Sequence, residues 1–211
     1  MRILFAAAAS LALFASPAFA KDPAEGKTTF FVYESFMSPQ QQPGEETEQK
    51  LVQKVAGLEG TAPPTPREQR KSTGWGQIRV ARDMSRAFVD VEIKGVKPED
   101  IIMFHIHCGP PTVLGPILVD LGKFGDLPKM LAQGKLSVEV KNADLSFITR
   151  PPHGMKPVLP ETCPIDIGFD QTKTISGLDY LARKGVLYFN LHTKAHTFFG
   201  EMRGQIHAAE K

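Results

Sequence analysis

The sequence predicts an all-β fold, a Greek-key β-sandwich or barrel of about eight strands. Three observations carry that reading: short runs rich in β-branched and aromatic residues recur along the chain, Gly and Pro punctuate them, and helical patterning is confined to brief stretches. The strands are expected at residues 28–34, 76–82, 87–93, 102–108, 117–121, 136–140, 186–192 and 201–207. One or two short helices accompany them. The best patterned covers 176–184, where Ser176 can cap, Asp179 sits at the third helical position as in a capping box, and Gly185 ends the run. Polar residues 45–58 and the short stretch 127–133 are the other helical segments.

Two segments read as loops. Residues 59–73, with Pro63, Pro64, Pro66 and a cluster of charges, look like a flexible linker or loop. Residues 149–174 form a long Pro-rich insertion, and a structureless stretch of that length inside a compact domain is expected to be pinned or functional.

The first 20 residues have the makeup of a secretory signal peptide: Arg2, an apolar run over 3–14, then Ala18-Phe19-Ala20 as a small-residue cleavage site. That run is shorter than the roughly 20 residues a membrane span needs, and Pro17 breaks the segment shortly after it. The expectation is an exported chain, periplasmic or secreted, with residues 21–211 as a single β domain and no membrane span after cleavage. Loss of residues 1–20 removes Arg2 and no acid, leaving 24 basic against 23 acidic side chains. A nearly neutral chain gives no electrostatic reason to expect nucleic acid as a partner. The two cysteines, Cys108 and Cys163, are expected to form a disulfide in an oxidising compartment, tying the insertion to the strand at 102–108; the competing reading makes one of them a thiolate metal ligand.

Chemistry concentrates on histidine. Successive strand side chains point to opposite faces, so Met103, His105 and His107 share one face while Ile102, Phe104 and Ile106 share the other, which suits a core. Cys108 then points away from the histidines. In 186–192 the same sorting turns Leu187, Phe189 and Leu191 inward and Tyr188, Asn190 and His192 outward, and in the last strand Glu201, Arg203, Gln205 and His207 share a face. A solvated sheet face needs no ligand to explain such alternation. Four of the six histidines, however, are His105, His107, His192 and His196, and imidazoles one residue apart on a strand can converge on one ion, for which copper or zinc is suited. No cupredoxin Cys–His–Met arrangement, zincin helix, phosphate-binding glycine loop or nucleophile elbow is present.

Phe104-His105-Ile106-His107-Cys108-Gly109, then Gly115-Pro116-Ile117, then 187–193 (LYFNLHT), then 200–206 (GEMRGQI) resemble, in that order, the blocks of the CHRD (chordin-type) domain. The resemblance covers about residues 74–208 and implies an extracytoplasmic β-sandwich; the insertion at 149–174 exceeds the usual pattern. Phe104-His105-Ile106-His107 is also similar to the copper motif of copper/zinc superoxide dismutases. That more distant likeness implies copper ligands at His105, His107 and His192, an anion-guiding Arg203, and His153 in place of the bridging histidine. Too few histidines lie between His107 and His192 for a zinc subsite, so any dismutase would be copper-only. His196 has no counterpart there and is the candidate for a fourth ligand; His207 reads as an exposed strand end. Three functions stand as expectations: a copper-only superoxide dismutase acting on the small anion, a non-catalytic protein-binding module, and a periplasmic copper buffer for which Met103 would be apt.

Overall fold

The computed structural model describes residues 23–48, 53–54, 57–148, 162–164 and 166–210. The expected signal peptide, His153 and most of the Pro-rich insertion lie outside them. Ten strands form two five-stranded antiparallel sheets among the described residues: β1 (Phe30–Met37), β2 (Thr73–Ala81), β3 (Ala87–Lys94), β4 (Ile101–Cys108), β5 (Ile117–Asp120), β6 (Lys135–Val140), β7 (Leu145–Ile148), β8 (Leu187–Thr193), β9 (Met202–Gln205) and β10 (His207–Ala208). One sheet runs β10-β1-β2-β3-β6 and the other β7-β5-β4-β8-β9. The chain changes sheet after β3, β5, β6 and β9, so the two layers are woven together.

The alternation that predicts strands also builds the core. In β6, Leu136, Val138 and Val140 are buried while Lys135, Ser137 and Glu139 are exposed. Ile78, Val80, Val89 and Val91 of the first sheet belong to the same core cluster as Phe104, Ile106, Phe189 and Leu191 of the second. Burial of each such side chain contributes about 1.5–3 kcal/mol.

Two strand readings are corrected. Ile101, not Ile102, is buried, because the β4–β8 register shifts between Ile101 and Met103 and leaves Ile102 38% exposed. The segment 201–207 is not one strand. Ile206 still donates its N–H to Leu187 O, but His207 and Ala208 then pair with Glu34 and Tyr33 of the other sheet. A Ser38–Arg203 bridge joins the two layers at the same edge, and a Cβ at Gly204 would run into Ser35 Oγ and Met37 Cγ, so glycine permits the approach. Strand β7 carries too short an apolar run to stand out in the sequence.

Helices are short: α1 (Leu127–Met130), α2 (Phe169–Thr172) and α3 (Ile175–Arg183). The cap of α3 is Thr174, whose Oγ1 accepts from Gly177 N, rather than Ser176. Asp179 is buried and accepts from Tyr33 Oη at 2.6 Å and Arg183 Nε at 2.7 Å, so it fastens the helix to β1 instead of closing a capping box. Gly185, at φ 67°, ends the helix as expected. No helix among the described residues is long and apolar enough to cross a membrane.

Cys108 and Cys163 form a disulfide with both residues buried. The bridge spans 55 residues, for which loop-closure entropy gives about 4 kcal/mol. Replacing both cysteines by alanine should therefore lower the unfolding free energy by about 4 kcal/mol in denaturant titration. A change below about 1 kcal/mol would show that the bridge does not restrain the unfolded chain.

Candidate metal centre

Strands β4 and β8 are neighbours, with Met103 opposite His192, His105 opposite Asn190 and His107 opposite Tyr188. Residues of one parity on adjacent strands share a face, so three imidazoles distant in sequence become neighbours. One ligand atom from each of His105, His107 and His192 lies within 4.8 Å of the other two. Two nitrogens bound at about 2.0–2.1 Å to one ion stand at most about 4 Å apart, so small side-chain rotations would close the cluster on a metal.

This face is not solvated. His105, His107 and His192 are 4%, 8% and 4% exposed, and every residue of β8 is buried. Loops lie over it, and their carbonyls orient the rings. Gly115 O accepts from His107 Nδ1 at 2.8 Å and Thr197 O accepts from His192 Nδ1 at 3.0 Å, which leaves the lone pair of each ring on Nε2. Asn190 Nδ2 donates to His192 Nε2 at 3.1 Å and to Phe199 O at 3.0 Å, while its Oδ1 accepts from Gln42 Nε2 at 2.7 Å. His107 Nε2 is buried with no hydrogen-bond partner among the described residues. Asp120 Oδ1 stands 3.7 Å from His105 Nε2.

Burial holds the His107 imidazole well below its ordinary range, to about 3, with His192 and Arg203 adding to the effect and the Gly115 bond opposing it. Burial likewise brings His192 down to about 4 against the Thr197 bond. At neutral pH both rings are uncharged, the form that ligates a metal. The cluster opens on a cleft of about 140 Å³ whose lining includes Met103, Leu58, Leu114, Ile117, Tyr188 and Phe198.

The remaining site residues lie elsewhere. His196 is buried outside the cluster, with Nδ1 2.5 Å from Glu201 Oε2 and Nε2 beside the backbone of Thr65, its oxygen at 3.0 Å and its nitrogen at 3.1 Å. With both ring nitrogens engaged there, it is not drawn to the cluster as a fourth ligand. Cys108 points into the core and is bridged, so it is no thiolate ligand. His207 is exposed, as expected. His153 is outside the described residues.

Arg203 is on the histidine side of the sheet but 1% exposed. Its guanidinium donates to Val113 O and Pro110 O at 2.8 Å and to Gln205 Oε1 at 3.1 Å, and Cζ lies 3.4 Å from the centre of the Tyr188 ring. His107 stacks on the same ring at 5.0 Å. Since β8 lies between β4 and β9, Tyr188 separates Arg203 from His107. Parity finds the side of the sheet on which Arg203 sits, but the loop 110–113 that buries it has no sequence signal.

Sequence reasoning also missed the group that fastens the cover. Arg70 is buried, donates to both carboxylate oxygens of Glu45 at 3.0 and 2.9 Å and to Gly200 O and Glu201 O at 3.2 and 2.9 Å. Ser72 Oγ donates to Glu201, and Glu46 Oε1 accepts from the N–H groups of Phe199 and Gly200. The segment 59–73 is thus a loop with buried anchors beside the 194–201 turn.

Comparison with known proteins gives one finding. The family model of the CHRD domain matches residues 54–206. No curated protein and no solved structure matches the chain. The match begins before the region of resemblance seen in the sequence and includes the site histidines and Arg203.

The buried imidazoles and the buried guanidinium each lead to a measurable outcome. Below about pH 6.5 the unfolded chain takes up protons at His107 and His192 that the folded chain refuses, so the metal-free protein should lose stability as pH falls towards 4. Between about pH 6.5 and 5 the loss is about 2 kcal/mol per imidazole, and denaturant titrations should show it shrinking in His107→Gln; an unchanged slope would contradict the burial argument. Arg203→Ala should lower the unfolding free energy by about 3 kcal/mol, since three acceptors lose a buried charged donor. An effect within about 0.5 kcal/mol, as for a surface residue, would refute that role.

Proposed function

The chain belongs to the CHRD domain family, and from that premise together with the imidazole cluster we propose that it is an exported protein that binds copper through His105, His107 and His192. The observation that carries this reading is the buried, unpartnered Nε2 of His107, set among two further buried imidazoles. A native protein rarely leaves such an atom without a partner, and a metal would supply one. CHRD domains are extracellular modules, and the Cys108–Cys163 bridge suits an oxidising compartment, so export to the periplasm or the medium is part of the proposal.

Bound copper would supply Lewis-acid and one-electron redox chemistry. The protein's own residues do the rest. Gly115 and Thr197 carbonyls fix the His107 and His192 tautomers, Gln42 holds the Asn190 amide whose Nδ2 occupies the His192 Nε2 lone pair until an ion takes its place, and Leu58, Leu114 and Phe198 restrict access. A cleft of about 140 Å³ has room for a few waters or one small molecule over ligands that are themselves buried. Holding copper as a buffer is therefore the reading the covered site favours. Superoxide dismutation is the second, favoured by the opening of the cleft; Arg203 is not among the residues that line it.

Protein isolated from periplasm or medium should carry a single copper ion per chain. His105→Gln, His107→Gln and His192→Gln should each lower copper content severalfold, and His196→Gln should not. Protein that copurifies with no copper and takes none up would remove the metal reading and leave a protein-binding module. Copper-loaded protein no faster with superoxide than free copper would remove the dismutase alone.

A further inference from the structure

We infer that the site selects the soft monovalent ion, Cu(I), over the dications Cu(II) and Zn(II). The inference rests on the metal-site reading above and asks which ion this particular cluster stabilises.

The first ground is charge. The three candidate ligands are imidazoles, and no carboxylate or thiolate is among the described residues lining the cleft. Neutral ligands leave the whole charge of the ion in place. The cost of moving an ion from water into a poorly polarisable interior grows with the square of its charge, so a dication costs about four times as much as a monocation of similar size. Asp120 adjoins the cluster, its Oδ1 3.7 Å from His105 Nε2, but it is about a third exposed, does not line the cleft and accepts from the Gly122 N–H, so it offsets only part of that cost.

The second ground is Arg203. Its guanidinium is buried against Tyr188, on whose ring His107 also stacks, and none of the acceptors of its three hydrogen bonds is a carboxylate. A fixed positive charge one side chain from the cluster repels a dication twice as strongly as a monocation. The residue thus acts as a positioning charge that sets which ion is tolerated.

The third ground is softness. Met103 shares the histidine face, stands opposite His192 across the β4–β8 pair and lines the same cleft. A polarisable thioether favours Cu(I) and offers little to Zn(II). With nitrogen ligands alone Cu(II) would outbind Zn(II); the missing carboxylate and the buried guanidinium act against both.

The test is metal competition on the full folded chain. Cu(I) affinity is read anaerobically against a chromophoric Cu(I) chelator, and Cu(II) and Zn(II) affinities against chelators of known strength. Cu(I) should bind at least tenfold more tightly than Cu(II), which corresponds to a rise of at least about 59 mV in the potential of the bound couple. Leu114→Asp, placing a carboxylate on the cleft wall, and Met103→Leu, removing the thioether at similar volume, should each reduce the Cu(I):Cu(II) ratio severalfold. Arg203→Met should do the same if it folds, and the other two variants decide the matter if it does not. A wild type that holds Cu(II) or Zn(II) as tightly as Cu(I), with the ion lost in His107→Gln, would overturn this inference and leave the metal site standing. Binding of no ion, or binding indifferent to His107→Gln, would overturn both.

Discussion

A sheet face that carries Tyr188, Asn190, His192, His105, His107 and Arg203 can be buried only if its polar atoms find partners, because each unpaired buried group costs about 1–3 kcal/mol. That obligation organises this half of the molecule. The loops over β4, β8 and β9 present backbone oxygens where the face needs acceptors: Gly115 for His107, Thr197 for His192, Phe199 for Asn190, Val113 and Pro110 for Arg203. The 194–201 turn is in turn held by Arg70, which donates to Gly200 O and Glu201 O and forms a buried bidentate pair with Glu45. Breaking such a pair by removing one partner typically costs about 3–5 kcal/mol, so the cover is part of the folded core. Buried atoms without a hydrogen-bond partner remain in the cover too, Arg70 Nε and Glu46 Oε2 among them, and the Nε2 of His107 is one that belongs to the imidazole cluster.

The same obligation gives Arg203 its place. A charge that steers anions has to be felt in solvent at the mouth of a site, and solvent-exposed charge is what salt screens. Here the guanidinium is enclosed, bonded to two loop carbonyls and a glutamine, and stacked on Tyr188. An enclosed guanidinium on the histidine side, reached across the Tyr188 ring, sets up a fixed potential at the imidazoles.

Strand periodicity was enough to put His105, His107 and His192 on one face, because the two-residue repeat needs only the run of side chains on either side. It was also enough to turn Cys108 away from them and free it for Cys163. Periodicity failed where the ladder is irregular: at Ile102, beyond a register shift, and at His207, where the chain has left one sheet for the other. It could not tell a covered face from a wet one, since that depends on loops. The partners of Arg70 at Gly200 and Glu201 are 130 and 131 residues away, and those of Arg203 at Val113 and Pro110 are 90 and 93. His196 shows the limit most clearly: four residues from His192 it looks like a further ligand, yet the turn after β8 swings it towards Glu201 and Thr65.

Placing the histidines under cover also separates the two roles considered for the chain, metal binding and protein binding. Capture of another protein needs a broad exposed surface, and the imidazoles, enclosed in a cleft a few waters wide, are not such a surface. The outer face of the other sheet is different in kind. There Phe36 is 63% exposed, and Arg79 spreads over Phe30 and Phe88 while pairing with Asp90. The core between the two sheets is apolar, and it isolates the charge of one outer face from contacts made on the other. A binding role on the exposed sheet and an ion on the covered one therefore place no demand on each other, and the sandwich is a scaffold on which either can change without the other.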